Sequence, residues 1–171
     1  MRRPAAIISS FIFLVLAPGV VAGLVPWWMS RWQMRAPLLG ASALRLLGVA
    51  LIVAGVAMLL DSFARFAIQG LGTPAPVFPT KHLVVSGLYR YVRNPMYVGV
   101  VATVLGQGLL FGNGRLLSYG VVLWVTFHIF VLGYEEPKLR KTFGEEYVRF
   151  CGAVPRWIPR VTPWSDSPSA E

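Results

Sequence analysis

Two short stretches of this sequence carry the residue types needed to hold a ligand bearing both signs of charge. The first, at 87–99, reads Gly-Leu-Tyr-Arg-Tyr-Val-Arg-Asn-Pro-Met-Tyr-Val-Gly. Tyr89, Arg90, Tyr91 and Arg93 lead into Asn94-Pro95, which has the form of a helix start: an Asn able to cap free backbone N–H groups, then a Pro with no N–H to leave unpaired. A helix start presents N–H donors and a partial positive charge, so it suits a carboxylate or phosphate. The second stretch is Glu135-Glu136, directly after a long apolar segment, where an acidic pair is costly unless it has a partner or a task. Together the two can hold the ends of a zwitterion that also carries hydroxyls.

The rest of the chain must bring these stretches together at a membrane. Of 171 residues, 56% are hydrophobic and 13% charged, and the mean hydropathy is +0.61, a composition of membrane proteins rather than soluble domains. The pattern predicts an all-α integral membrane protein with a bundle of about four transmembrane helices and a C-terminal segment facing the cytoplasm. The apolar runs lie at 7–25, 38–60, 95–111 and 116–134. A cleaved signal peptide is the rival reading of the first, given Arg2-Arg3 before it and Val20-Val21-Ala22 within it. The apolar character continues into Pro26-Trp27-Trp28 and Trp32, an interfacial aromatic belt, which favours a retained span.

The chain reads as one membrane domain over 1–171: a two-helix part at 1–72, the part holding both motif stretches at 73–161, and a disordered tail at 162–171. Gly40, Gly48 and Gly55 offer small faces for close helix approach, as do Gly99, Thr103, Gly106 and Gln107 in the third run. Three prolines at 73–80 make a covering loop or a spacer. Asn113-Gly114 makes a tight turn, so the third and fourth runs are antiparallel neighbours. On the fourth, Trp124, His128 and Glu135 share a helical stripe. Pro137 kinks the helix beyond, before Phe143-Gly144 and a short amphipathic helix at 145–151.

The net charge of +9 does not come from a polar block; the basic residues sit between apolar runs. That arrangement excludes a nucleic-acid interface and fits membrane lipids as partners. With four spans, one side collects Arg2, Arg3, Arg65, Lys81, Arg90, Arg93 and the six basic residues from Lys138 to Arg160, the other only Arg31, Arg35, Arg45 and Arg115. Both termini and both motif stretches are therefore expected on the cytoplasmic side, with the chain in the inner or cytoplasmic membrane. No Gly-rich nucleotide loop, P-loop, nucleophile elbow or zinc spacing is present, and no metal is expected. The lone Cys151 excludes an internal disulfide and reads as a small residue near the interface.

Arg93-Asn94-Pro95-Met96-Tyr97-Val98-Gly99, a hydrophobic span, Glu135-Glu136, then Phe143-Gly144-Glu145-Glu146-Tyr147 and Val154-Pro155-Arg156-Trp157-Ile158-Pro159 together resemble the isoprenylcysteine carboxyl methyltransferase family, in the wider group of membrane methyltransferases that includes phospholipid methyltransferases. The resemblance runs from about Thr73 to Arg160. It implies S-adenosylmethionine as cofactor, bound by Tyr89, Arg93, Asn94, Pro95, Tyr97, Gly99, Glu135 and Glu136. Arg93, Asn94 and Glu136 are then the catalytic candidates, with Asn94 standing where eukaryotic members carry His. His128, Tyr147 and Trp157 are candidate contacts of a lipophilic methyl acceptor, whether carboxylate, thiol or amine. The parts match the cofactor: Arg93 and the helix start for its carboxylate, Glu136 for hydroxyls or the amino group, the Tyr97 face for the sulfonium. The alternative is a non-catalytic membrane module that binds a lipid or protein partner, which the Asn94 departure favours; a small transporter is weaker, since no internal repeat is present.

Overall fold

The computed structural model describes residues 16–69, 83 and 85–165, with the side chains of 66–69 excepted. The start of the first expected span, the proline-rich stretch at 73–80 and the part of the expected 162–171 tail from 166 on lie outside the described residues; at 162–165 the chain is held instead, with Trp164 packed in an apolar cluster. All regular structure among the described residues is helical. Four helices make the bundle: α1 Leu16–Ser30, α2 Ala43–Gln69, α3 Pro95–Phe111 and α4 Gly114–Ala153. Short 3₁₀ turns, Leu38–Gly40 and Gly87–Arg90, precede α2 and α3. Among the described residues two helices are long and apolar enough to cross a membrane, Ala43–Arg65 with mean hydropathy 2.4 and Gly114–Ala153 with 1.9; α1 and α3 are shorter apolar helices.

Proline sets the local form of α1 and α4 by the same device. In α1, Pro26 has no N–H for the Ala22 carbonyl, and the turn before it widens so that Val25 N–H reaches back five residues to Val20. The carbonyls of Val21 and Ala22 then need donors from elsewhere. Tyr119 on α4 donates its hydroxyl to Val21 O (3.0 Å), and Gln107 on α3 donates its amide to Ala22 O (2.7 Å). In α4, Pro137 follows a second wide turn, Val131–Glu135, in which Glu136 N–H pairs with Val131 O. The expected kink at Pro137 is thus taken up as a π turn one step earlier. Gly144 (φ 55°, ψ −128°) breaks α4 again, separating the amphipathic end from the apolar part.

The tightest packing is between α2 and α3, along glycine. A Cβ on Gly48 would lie 2.7 Å from Gly106 O, and one on Gly99 would lie 2.8 Å from Gly55 O. Thr103 closes the seam by donating to Gly99 O at 2.8 Å. The polar face of α3 is therefore a packing seam, with Gln107 also accepting from Trp32 Nε1 at 3.1 Å. Replacing Gln107 with Leu leaves the Ala22 carbonyl and the Trp32 indole N–H unpaired. The buried Ala22 carbonyl so stranded costs about 1–3 kcal/mol, while the half-exposed Trp32 indole can turn to water, and a lowered unfolding midpoint in detergent micelles is the expected result.

α3 ends where Gly112 (φ 65°) takes the left-handed conformation, and Asn113 then caps α4, accepting from Arg115 N–H at 3.1 Å. Two apolar clusters result. Ala22, Leu59, Val100 and Val104 join α1, α2 and α3, with Tyr119, Leu123 and Phe127 of α4 packed on them. Tyr147, Phe150 and Val154 form the other, against Leu83, Val85, Leu139, Phe143 and Trp164.

Candidate functional site

Two connections bring the motif stretches together. α3 and α4 run antiparallel through the Asn113 turn, so the start of α3 meets the Glu135-Glu136 region of α4. The segment after α4 then crosses the start of α3, hydrogen-bonded to it by its backbone: Arg93 N–H donates to Pro155 O, Arg160 N–H to Tyr91 O, and Trp164 N–H to Arg90 O, each at 2.9 Å. Arg90 Nε returns a bond to Trp164 O at 2.6 Å. This strap is stitched from both directions.

Beneath it the two glutamates have different partners. Glu136 accepts from Arg93 Nη1 at 3.1 Å and is forked by Arg156, whose Nε and Nη2 lie 2.6 and 3.0 Å from its two oxygens. The Glu136 and Arg93 side chains are only 12% and 11% exposed, that of Arg156 28%, so the triad is mostly sheltered from solvent. The carboxylate raises the Arg156 guanidinium further above its ordinary value through this hydrogen bond. Arg93 Nη1 also donates to Cys151 Sγ at 2.8 Å, while Arg93 Nε is buried with no partner. Among the described residues Glu135 accepts only from the Tyr97 hydroxyl, at 3.0 Å. Tyr97 in turn packs on Phe127, with ring centroids 4.7 Å apart. Tyr89 is buried nearby: burial raises its phenol, against a hydrogen bond with Ser62 and with the charge of Glu135 adding to the rise, so it stays neutral.

A carboxylate offers about four lone-pair positions. Glu136 has most of its own filled by guanidinium donors, whereas among the described residues Glu135 has one filled and the rest available. The spare acceptor capacity of the pair therefore lies on Glu135.

Asn94 corrects one expectation. Its side chain makes no helix-cap bond; the amide donates instead to Arg156 O at 3.2 Å, fixing the strap. Pro95 does begin α3, fully buried. Gly99 lies in the α2–α3 seam, packed against Gly55, Leu59 and Met58. The Trp124, His128 and Glu135 stripe divides at the π turn. Trp124 and His128 stack at 5.3 Å, and His128 Nδ1 accepts from Trp157 Nε1 at 3.0 Å, which leaves the imidazole hydrogen on Nε2. Tyr147 is buried in the second apolar cluster, near Cys151. Arg156 is the residue whose part in the site sequence reasoning missed. It stood within the Val-Pro-Arg-Trp-Ile-Pro segment, and the available signal was a lone cation in an apolar stretch of a chain with a costly acidic pair. Among the described residues no group of three or more His, Cys, Asp or Glu is placed to hold a metal.

Comparison with known proteins bears on the same region. The protein-S-isoprenylcysteine O-methyltransferase of Schizosaccharomyces pombe is 39% identical over 80 residues, 46% of this chain and 34% of that one. Protein-S-isoprenylcysteine O-methyltransferase B of Arabidopsis thaliana is 32% identical over 80 residues, 46% of this chain and 40% of the relative. The phosphatidylethanolamine N-methyltransferase of Laccaria bicolor is 35% identical over 77 residues, 45% of this chain and 8% of the relative. The chain thus spans well under half the length of each. A family model described as phospholipid methyltransferase matches residues 43–146, from the start of α2 through the glycine seam and both glutamates to Glu146. Matched over more than half of its length, the chain belongs to the phospholipid methyltransferase family.

Proposed function

We propose that this chain is an integral-membrane methyltransferase that takes its methyl group from S-adenosylmethionine and passes it to a lipophilic acceptor at the cytoplasmic membrane face. The observation that carries the reading is the carboxylate pair where α4 meets the start of α3, one member locked by Arg93 and Arg156 and the other left with acceptor capacity among the described residues. The donor set fits the cofactor. Arg93, with a buried Nε that lacks a partner, suits the cofactor carboxylate. Glu135 suits its hydroxyls or amino group, and the rings of Tyr97 and Tyr89 suit a sulfonium. When bound, the cofactor supplies a methyl already activated for displacement.

The chain's own residues then position, shield and balance charge. Glu136 holds two guanidiniums in fixed places, and the strap lays Trp157 over His128 and covers the glutamates. Such work is orientation and exclusion of water, the larger part of catalysis when the transferred group is activated beforehand. Tyr147 and Pro155 give the strap an apolar footing, Pro95 sets where α3 begins, and Gly99 sets how closely α3 approaches α2. His128, with hydrogen on Nε2, offers a donor to an acceptor's oxygen rather than a base.

The membrane reading rests on the apolar surfaces of α2 and α4, on two shorter apolar helices beside them, and on the placement of basic residues that puts both termini in the cytoplasm. The named relatives act on isoprenylcysteine or on phosphatidylethanolamine, both lipophilic, which supports a lipophilic acceptor here. The test is label transfer from methyl-labelled S-adenosylmethionine in vesicles, offered a farnesyl-cysteine analogue or phosphatidylethanolamine. Base-labile label identifies a carboxyl ester, base-stable label a thioether or an amine. Cofactor binding with no transfer to endogenous membrane lipids or either acceptor would favour the non-catalytic reading, for which the engagement of Asn94 in the strap is the supporting feature.

A further inference from the structure

The far end of the bundle carries a charge that no carboxylate among the described residues balances. α3 runs from the glutamate site to Phe111, 17 residues, or about 25 Å at the helical rise. At that end lie Arg31 after α1, Arg35 in the connection, Arg45 in the first turn of α2 and Arg115 in the first turn of α4. They are joined locally: Arg35 N–H donates to Phe111 O at 3.1 Å, and Arg45 Nη2 donates to the Arg35 carbonyl. Gly112, lacking a Cβ, lets the Ala36 carbonyl lie directly against the α3–α4 turn.

No Asp or Glu occurs between Met1 and Leu60, nor between Ser62 and Tyr134. Every carboxylate among the described residues therefore belongs to the opposite end or to the segment after it. α2 and α4 both start here with no acidic residue in the first turn; their partial positive charge is matched by the C-termini of α1 and α3 at the same end, so the excess is that of the four guanidiniums. Arg45 Nε is buried without a partner. The connection is also held in a costly shape, with Arg31, Trp32 and Leu39 in the left-handed region at φ 50°, 52° and 55°. Trp27, Trp28 and Trp32 flank the arginines, exposed, with Arg31 4.4 Å above the Trp27 ring. Tryptophan beside unpaired arginine suits the headgroup layer, apolar on one side and anionic on the other.

We propose that this end binds the phosphodiester of anionic phospholipids in the leaflet opposite the glutamate site, with Arg35, Arg45 and Arg115 as the phosphate ligands. The proposal rests on the membrane reading above but not on methyl transfer. The side of a bundle that faces away from the cytoplasm ordinarily sheds arginine, and four kept there without a carboxylate call for an anion from outside the chain.

The experiment is native mass spectrometry of the full chain in micelles, titrated with phosphatidylglycerol or phosphatidylcholine. Wild type is expected to hold phosphatidylglycerol about tenfold tighter than phosphatidylcholine, a preference that Arg35→Gln with Arg115→Gln abolishes. Lys141→Gln with Arg149→Gln removes the same charge from the other end and is expected to keep it. Equal retention of both lipids by wild type, or equal loss in the two double variants, overturns the proposal. Displacement of the lipid by millimolar inorganic phosphate overturns the lipid as the source of the anion. Release of the chain from membranes by alkaline washing, scored separately, would instead sink the membrane reading.

Discussion

Glu136→Ala is expected to cost the fold about 2–3 kcal/mol and to abolish cofactor binding with it. The substitution leaves Arg93 and Arg156 facing one another with no counter-charge, in a setting where their side chains are 11% and 28% exposed. Removing one partner of a buried ion pair costs roughly 3–5 kcal/mol, because the remaining charge is stranded. Arg156 is the more exposed of the two and can turn toward water, which lowers that figure. Glu136→Gln keeps an acceptor oxygen for one guanidinium and is expected to lose about half as much. The decisive variant is the double one, Glu136→Ala with Arg156→Met, which removes the stranded cation as well as its partner. It should recover a large part of the loss, a coupling of about 1–2 kcal/mol in a double-mutant cycle read from unfolding in micelles. Strict additivity of the two substitutions would contradict the triad.

Gly55→Leu is expected to be still more damaging, because what it meets is backbone. A Cβ there would touch the Thr103 hydroxyl and come within 2.6 Å of Gly99 O and 2.9 Å of Thr103 N. Overpacking a core costs about 1–3 kcal/mol when side chains can move aside, and carbonyl and amide groups of a neighbouring helix cannot. α2 and α3 must separate, losing the seam along its length. The start of α3, and Tyr97 and Arg93 with it, then shifts relative to α4. Expression of folded protein and cofactor binding should fall together. Gly152→Ala is the control: a Cβ there meets nothing within 4 Å, and alanine suits a helix better, so the midpoint should hold or rise slightly.

What the sequence revealed was mainly local or periodic. The Asn113-Gly114 turn, the start of α3 at Pro95 and the glycines of the seam each have a physical signature within a few residues. The pairing of Gly48 with Gly106, and of Gly55 with Gly99, follows from small residues on two apolar helices of opposite direction. The family resemblance supplied the proximity of the two motif stretches, and the chain's own helices arrange it. What stayed hidden depends on contacts distant in sequence. Asn94 has the right type and place to cap α3, yet its amide is taken by Arg156 O, 62 residues away. No local rule weighs those two options. The fate of the carbonyls freed by Pro26 could not be read either, since Gln107 and Tyr119 reach them from other helices.

Glu135 and Glu136 show the same limit within two residues. By type they are identical, and a uniform helical period puts His128 on the face of Glu135. The π turn before Pro137 shifts the phase of the helix just there. As a result Glu136 goes to the two arginines, Glu135 to Tyr97, and His128 to Trp157. The widened turn follows from Pro137, which is legible; which way it redistributes the side chains is set by α3 and the strap.

Calorimetric titration of S-adenosylmethionine into the full chain in nanodiscs, beside Glu135→Gln, tests the central claim most directly. The wild type is expected to bind, and the variant, folded to the same extent, to bind about tenfold or more weakly, the value of one charge-assisted hydrogen bond. A folded wild type that takes up no cofactor, or a Glu135→Gln variant that binds it undiminished, would contradict the account.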